Sequence, residues 1–423
     1  MSVASNTPPA ALGTPGLIKQ PGFVEFVCMI ALMMALNALA IDSMLPALPA
    51  IGDALGITAE NDRQWIITAY LLAFGVGQIF YGPMADRYGR KPLLFIGVGF
   101  YVGFSLMAAL STSFEMLLAA RVGQGLGVAA TRVLAVSIVR DRFSGRTMAR
   151  VISLSFLVFL GVPIIAPSVG AAILLVAPWR WIFGVLGIAG LALLAWASFR
   201  LPETLKAEDR LPIQPRRIIA AFREAATNRV SLGYTLAMAA VSAALFGFIN
   251  SSQQIFFDIF HAPGLFPIVF ALIAGGIAIA SLTNARLVVN LGSRLISHCA
   301  LLGFITMGTI HTLTALSGHE TIWTFGILQG LTMFCFGLMA GNFGSMAMEP
   351  MGHIAGTASS AQGFLSTIVG ALGGFFIGQH FNGTVVPMTL GVTLSGLLAL
   401  GAIFYAERGR LFVARNTGLV PAE

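Results

Sequence analysis

The chain reads as an all-α membrane protein: twelve transmembrane helices in two pseudo-symmetric six-helix bundles, with both termini in the cytoplasm. Three observations predict this. Of 423 residues, 57% are hydrophobic and only 10% charged, with a mean hydropathy of +0.87; a soluble domain carries roughly 25% charged residues. The apolar runs are continuous and near the ~20 residues that a helix needs to cross the hydrocarbon. They lack the alternation of barrel strands, and in lipid a spanning backbone must satisfy its own hydrogen bonds. Finally, the charged connector Gly82-Pro83-Met84-Ala85-Asp86-Arg87-Tyr88-Gly89-Arg90-Lys91 has a degraded copy about 200 residues later, Asn284-Ala285-Arg286-Leu287-Val288-Val289-Asn290-Leu291-Gly292-Ser293-Arg294, with Gly89 against Gly292. A chain with such a copy was built twice.

Polar breaks between apolar runs place the spans at 23–48, 64–82, 92–111, 114–139, 147–174, 181–200, 229–252, 266–286, 294–317, 321–343, 352–379 and 385–406. With the amino terminus inside, twenty of the 24 Lys and Arg residues fall on the cytoplasmic side, only Arg63 and Arg180 fall outside, and Arg121 and Arg132 lie within the membrane. That asymmetry follows the positive-inside rule, and Trp65, Trp179, Trp181 and Trp323 start spans at the outer interface, where an amphipathic ring prefers to sit. The organisation expected is a cytoplasmic tail (1–22), a six-helix bundle (23–200), a basic cytoplasmic linker (201–228), a second bundle (229–406) and a tail (407–423). Two halves joined by a long linker suit a rocking transporter with its cavity on the axis between them.

Net charge is +7, but the basic residues are spread along connectors, which suits anionic lipid and not nucleic acid. Cys28, Cys299 and Cys335 lie inside apolar runs and show no metal-ligand spacing. There is no phosphate-binding Gly-Lys-Ser/Thr loop either, so ATP-driven pumping and enzyme chemistry both lack residues. No cofactor or metal is expected.

A charged side chain in the hydrocarbon costs at least ~2.5–3.5 kcal/mol, so each is a functional candidate. Asp42 lies near the outer end of span 1 and Arg121 near the outer start of span 4. At 1.5 Å per residue both sit roughly 10 Å below the outer surface. An opposite pair at one depth is expected to meet. One reading makes Asp42 the site of the driving proton, with Arg121 stabilising its ionised form; the other is a static salt bridge. Arg132 is eleven residues below Arg121, on a similar face. It attracts an anionic or polar substrate group, bonds exposed carbonyls, or snorkels to the interface. His298, His311 and His353 are expected to be packed or interfacial, and Glu25 and Glu115 to complement helix dipoles. Gly123/Gly127 and Gly370/Gly374/Gly378 repeat every four residues, as close helix contacts require.

These residues resemble the major facilitator superfamily and, within it, the drug–proton antiporters of the bicyclomycin/chloramphenicol-resistance branch. Gly82–Lys91 is similar to the superfamily's signature between helices 2 and 3. The segment Ala40–Ile51 resembles the branch's helix 1 signature, Leu118–Gly127 (with Arg121, Gln124 and Gly125) its helix 4 signature, and Leu201-Pro202-Glu203-Thr204-Leu205 its close of helix 6. The helix 5 antiporter signature is matched at Pro167 and Gly170 but carries Ala166, Ala171 and Val162 where glycine is expected. The resemblance implies proton coupling at Asp42 and Arg121. It also implies a cytoplasmic gate at Gly82, Asp86, Arg87, Gly89 and Arg90, with Asp86 near the amino-terminal end of helix 11 at about Gly352. Pro167 and Gly170 are expected to bend helix 5.

A substrate lining is expected from Asn37, Gln124, Arg132, Phe246, Asn250, Phe334, Phe336, Gln362 and Phe364, a mix of aromatic and amide groups that suits small amphipathic compounds. The function expected is proton-coupled export of such compounds by alternating access, by a monomer in the inner membrane of a bacterium. Proton-coupled uptake on the same scaffold is the alternative, and a membrane-embedded enzyme or sensor a more distant one.

Overall fold

Why the helices stop where they do decides what they bring together. A computed structural model describes residues 21–210 and 212–412, without the side chains of residues 146, 149, 217, 218 and 355. The two expected tails, with Lys19 and Arg415, fall mostly outside the described residues. The helices are α1 (Phe23–Asp42), α2 (Leu48–Ala54), α3 (Trp65–Tyr88), α4 (Arg90–Ala109), α5 (Phe114–Arg142), α6 (Gly145–Val176), α7 (Arg180–Arg200), α8 (Pro215–Thr227), α9 (Arg229–Gln254), α10 (Phe266–Leu291), α11 (Ser293–Leu316), α12 (Ile322–Met348), α13 (Ala355–Gln379) and α14 (Val386–Ala406). Among the described residues they make twelve spans long and apolar enough to cross a membrane, α1 and α2 together forming the first.

The span expected over 23–48 is not one helix. It stops at Asp42, passes through a turn and a 3-10 segment, Leu45–Ala47, and resumes as α2. Pro46 and Pro49 have no N–H to give the carbonyls of Asp42 and Leu45, which ends the ladder there. Gly170 of α6 lies against this break: a methyl in place of its hydrogen would collide with the Ser43 carbonyl oxygen and the Pro46 ring. Helix α6 itself runs unbroken through Pro163 and Pro167. Gly170 is therefore a contact surface for the helix 1 break, and no interruption marks the bend expected at Pro167 and Gly170.

The ten-residue connector is mostly helix. Helix α3 runs through Pro83 to Tyr88 and α4 starts at Arg90, leaving Gly89 alone between them at φ 103°, ψ 160°. Only glycine takes that conformation without strain. The copy is built alike: α10 ends at Leu291, Gly292 sits at φ 78°, ψ 152°, and α11 begins at Ser293. Helix 11 starts at Ala355, after a 3-10 segment, and not at Gly352. The linker holds an amphipathic helix, α8, that hydropathy alone passes over; it starts on Pro215, which suits the first helical position. The Glu224 carboxylate of α8 lies 2.8 Å from His353 Nε2. Asn228 caps α9, its Oδ1 accepting from the N–H groups of Val230 and Ser231, a contact that contributes about 1 kcal/mol.

Within the first bundle α5 packs on α3, α4 and α1, and α1 on α6 and α7; in the second α9 packs on α13, α14 and α12, and α12 on α10 and α11. The bundles meet along α3 against α13 and α6 against α10. The α3/α13 seam closes tightly at the end carrying Asn61. There Gln64 Nε2 donates to Gln254 Oε1 at 2.8 Å and to the Gly378 carbonyl at 2.9 Å. Asn61 Nδ2 donates to the Gln379 carbonyl at 3.0 Å, and the Trp65 and Phe375 rings lie 4.3 Å apart. Farther along, Gln78 Nε2 donates to Thr367 Oγ1 at 3.3 Å, and Gly82 faces the Ser360 hydroxyl.

Candidate functional site

The break in the first span leaves carbonyls of its last turn without intrahelical partners, and Arg121 of α5 is built into that gap. Arg121 is 0% exposed. Its Nη2 donates to the Ala40 carbonyl at 3.2 Å, its Nε to the Ile66 carbonyl at 3.0 Å and its Nη1 to Gln124 Oε1 at 2.8 Å. The guanidinium also lies 4.1 Å from the Tyr70 ring centroid. Gln124 Nε2 donates in turn to Ser105 Oγ at 2.6 Å. Hydrogen bonds to a charged group contribute about 1.5–3 kcal/mol each, and three of them plus an aromatic face offset the several kcal/mol that burying an ion costs.

Asp42 is 4% exposed and, among the described residues, has no hydrogen-bond partner. It makes no ion pair with Arg121 within 4.0 Å, so the expected direct pair is not formed. The physical reason is competition: the Ala40 carbonyl beside the helix break and the Ile66 carbonyl of α3 lie within the guanidinium's reach and take its donors. The two charges share a neighbourhood nonetheless. Arg121 binds a carbonyl two residues before Asp42, and Tyr70 lies within electrostatic range of both. The Tyr70 hydroxyl donates to Asn37 Oδ1 at 3.0 Å, one turn before the break.

The expected lining residues divide. Gln124 is wholly buried inside the first bundle and positions Arg121, and Phe336 is buried in the core of the second. Gln362 Nε2 donates to the Gly344 carbonyl at 3.3 Å. Phe246 packs over Gly370 and Gly374 of α13, while Phe334 and Phe364 are half-buried. Asn250 is 1% exposed with neither amide atom partnered, and Gln329 of α12 is alike; buried amides of this kind are ordinarily satisfied by water or a ligand. Arg132 is exposed and has no polar partner among the described residues.

At the opposite end of the seam Arg90 gathers two carboxylates, Nη1 at 2.5 Å from Asp86 Oδ1 and Nε at 2.9 Å from Asp141 Oδ2. Glu203 accepts the first N–H groups of α4, from Arg90 at 2.9 Å and Lys91 at 3.1 Å, where an anion also offsets the helix dipole. Arg87 stacks over Tyr88 and takes no part. Among the described residues Asp86 makes no hydrogen bond or ion pair with the start of α13; its carboxylate pairs with Arg90.

Sequence reading gave no role to Tyr70, Asp141 or Glu203, nor to the counterpart cluster around Arg294 in the second bundle. There Arg294 Nε lies 2.8 Å from Glu407 Oε1 and Nη2 2.9 Å from Glu349 Oε2, while the Tyr234 hydroxyl donates to Glu407 at 2.8 Å. A signal was present: Glu349 and Glu407 follow Asp141 and Glu203 by the same interval of about 200 residues that separates Gly89 and Gly292.

The family model described as Major Facilitator Superfamily matches residues 30–374, and the chain belongs to that family. An MFS-type transporter of Bacillus subtilis, YdgK, is 29% identical over 390 residues, covering 90% of this chain and 95% of the relative. A Haemophilus influenzae protein named bicyclomycin resistance protein homolog is 28% identical over 388 residues, covering 92% and 96%. Among solved structures, a bacterial homolog of the human lysosomal transporter Spinster, inward-facing and occupied, superimposes with a TM-score of 0.70 at 16% identity, covering 93% of this chain and 98% of that one. The protein is a multi-pass membrane transporter and not an enzyme.

Proposed function

We propose that this transporter exports small amphipathic compounds in exchange for protons, with Asp42 as the proton site. The observation that carries the reading is a buried carboxylate without a partner at a broken helix, next to a guanidinium whose donors are already engaged. A buried charge without a partner is costly, and taking up a proton removes the charge. When the proton leaves, the carboxylate competes with the Ala40 and Ile66 carbonyls for Arg121. A shift of Arg121 would loosen its hold on α1 and α3 together, since it bonds both. Loading and unloading a proton thereby biases two arrangements of the bundle, and only such differential contacts move a two-state equilibrium. Relatives named for bicyclomycin and multidrug resistance support the export direction. On this reading the Asp86 end faces the cytoplasm, where the basic residues cluster.

The test is transport by purified protein in proteoliposomes with an imposed pH gradient. The unmodified protein accumulates substrate against its gradient and releases protons in exchange. Asp42→Asn is expected to retain counterflow exchange while losing all gradient-driven accumulation. Accumulation by the variant at the unmodified rate would rule out Asp42 as the coupling site.

A further inference from the structure

We propose that Arg132 is an anion-binding site in the space between the bundles, and that the transported amphipathic compounds carry a negatively charged group, a carboxylate, sulfonate or phosphate. This deepens the reading above by naming a substrate class; it rests on that reading only for the direction of movement.

The direction in which Arg132 points follows from its neighbours on α5. Gly123 and Gly127 lie on the face turned to α4, against Phe104 and the Gly97 carbonyl. Arg121 projects from the opposite face, between α1 and α3, bonding Ala40 on one and Ile66 on the other. Eleven residues are close to three turns, so Arg132 projects along the Arg121 stripe and away from α4. One flank of that stripe reaches the other bundle: Arg140 Nη1 would lie 3.8 Å from a methyl placed on Gly356.

What differs between the two arginines is what covers them. Around Arg121, α1 and α3 close over the guanidinium and supply carbonyls. Around Arg132 the described residues supply no such partner. Arg132 and Val136, one turn on, are both exposed, while Leu134, Ala135, Ile138 and Val139 around them are buried. Arg132 nonetheless lies ten residues, about 15 Å, before the end of α5 at Arg142, well inside the span. Accessible space at such depth, on a face turned away from α4, is a cavity between the bundles. A side chain snorkelling into lipid headgroups would sit at the rim instead.

Charge decides the occupant. Among the described residues Asp42, Arg121 and Arg132 are the charged side chains deep in the spans; Arg121 is engaged, and Asp42 lies at the far side of the stripe beyond it. An unpaired guanidinium in a site of reduced dielectric is stabilised by an anion that presents two oxygens to its fork. A cationic amphiphile meets repulsion at the same place.

The experiment uses full-length protein in nanodiscs, with Cys28, Cys299 and Cys335 replaced by serine and Val136→Cys as reporter. Anionic sulfonatoethyl and cationic trimethylammonioethyl methanethiosulfonates are compared for their rates of labelling. Arg132 should raise the anion-to-cation rate ratio, and Arg132→Gln should lower it about tenfold or more, as expected for a unit charge one helical turn away in a partly hydrated space. Protection of the reporter thiol is then measured with naphthalene and biphenyl carboxylates, sulfonates and phosphates against their uncharged amides and esters. The anionic members should protect at about tenfold lower concentration than their uncharged mates, the same factor that a unit charge gives the labelling ratio. That preference should vanish in Arg132→Gln and partly survive in Arg132→Lys. An unchanged labelling ratio, equal protection by uncharged or cationic compounds, or protection by no anion would each overturn the proposal. Binding is measured without a gradient, so a failure here is separate from any failure of proton coupling at Asp42.

Discussion

Gln64 is the residue whose removal should most change which end of the protein is closed. Its side chain makes three hydrogen bonds across the seam: Nε2 to Gln254 Oε1 at 2.8 Å, Nε2 to the Gly378 carbonyl at 2.9 Å, and Oε1 from Gln379 Nε2 at 3.3 Å. Gln64 is 1% exposed, so water does not replace these partners while the seam is shut. In the opposite state the seam opens and water satisfies the same groups. Each bond contributes about 0.5–1.5 kcal/mol net, and the longest of the three belongs at the low end, which makes Gln64→Ala worth about 2–3 kcal/mol against closure. At 1.4 kcal/mol per factor of ten, the closed-to-open ratio at this end falls roughly 30- to 100-fold. A population held at about 99:1 would move to comparable amounts of both states. Spin labels at Glu60→Cys and Thr384→Cys in a background without native cysteines, read by pulsed dipolar spectroscopy, report the distance across this end. The expected result is a second, longer distance that is weak in the parent and prominent in Gln64→Ala. A distribution that does not change, with the variant folded and monodisperse, would show that the amide cluster follows closure and does not hold it.

Two further outcomes follow from packing and charge. Gly170→Val should separate α6 from the helix 1 break, because the Ser43 carbonyl cannot retreat without moving the turn; overpacking of this kind costs about 1–3 kcal/mol. The expected readout is a lower Tm in detergent with transport reduced more than folding, whereas an unaltered Tm would argue against the contact. Arg294→Gln should destabilise the second bundle by about 3–5 kcal/mol, since it takes the guanidinium away from Glu407, a carboxylate only 3% exposed. Arg294→Gln combined with Glu407→Gln should recover much of that loss in a thermal unfolding scan, and no recovery would refute the pairing.

Much of this fold was legible because lipid leaves few choices. Hydropathy alone places twelve spans, and the Gly89/Gly292 repeat announces two bundles. What was not legible follows from features that hydropathy averages away. Pro46 and Pro49 sit inside an apolar run, so the break at Asp42 is invisible to a window that counts greasiness, yet it ends α1 and leaves the Ala40 carbonyl of the last turn to Arg121. The helical connector was missed because its charge suggested a loop; one glycine with positive φ makes the turn. Depth matching put Asp42 and Arg121 in one neighbourhood and said nothing of what else was there. Backbone carbonyls have no sequence signature, so competition for the guanidinium could only be seen in three dimensions. Amphipathic α8 was hidden by its three arginines, which lower mean hydropathy without disturbing helical periodicity.

The two clusters at the glycine turns share a plan but differ in one respect that bears on gating. In the second bundle Arg294 is spent on Glu349 and Glu407, and Val289 stands where the first bundle has Asp86. Both carboxylates belong to that bundle, and the Tyr234 hydroxyl holds Glu407 as well, while Glu349, 34% exposed, comes from the segment after α12 and not from the glycine turn. In the first bundle Arg90 has Asp141 at 2.9 Å, 13% exposed, and Asp86 at 2.5 Å, 40% exposed. Glu203 meanwhile engages the α4 N–H groups and leaves the guanidinium alone. Asp86 is thus the more exposed of the two acids, and Arg90 keeps the better buried partner, Asp141, if Asp86 departs. The amino-terminal end of α13, which follows a 3-10 segment and a kink at Met351, offers the replacement, because its free N–H groups favour an anion. A latch at this end would draw on Asp86, the more exposed carboxylate, while Arg90 keeps Asp141; a near-balanced exchange of this kind is what a gate opening and closing in each transport cycle requires.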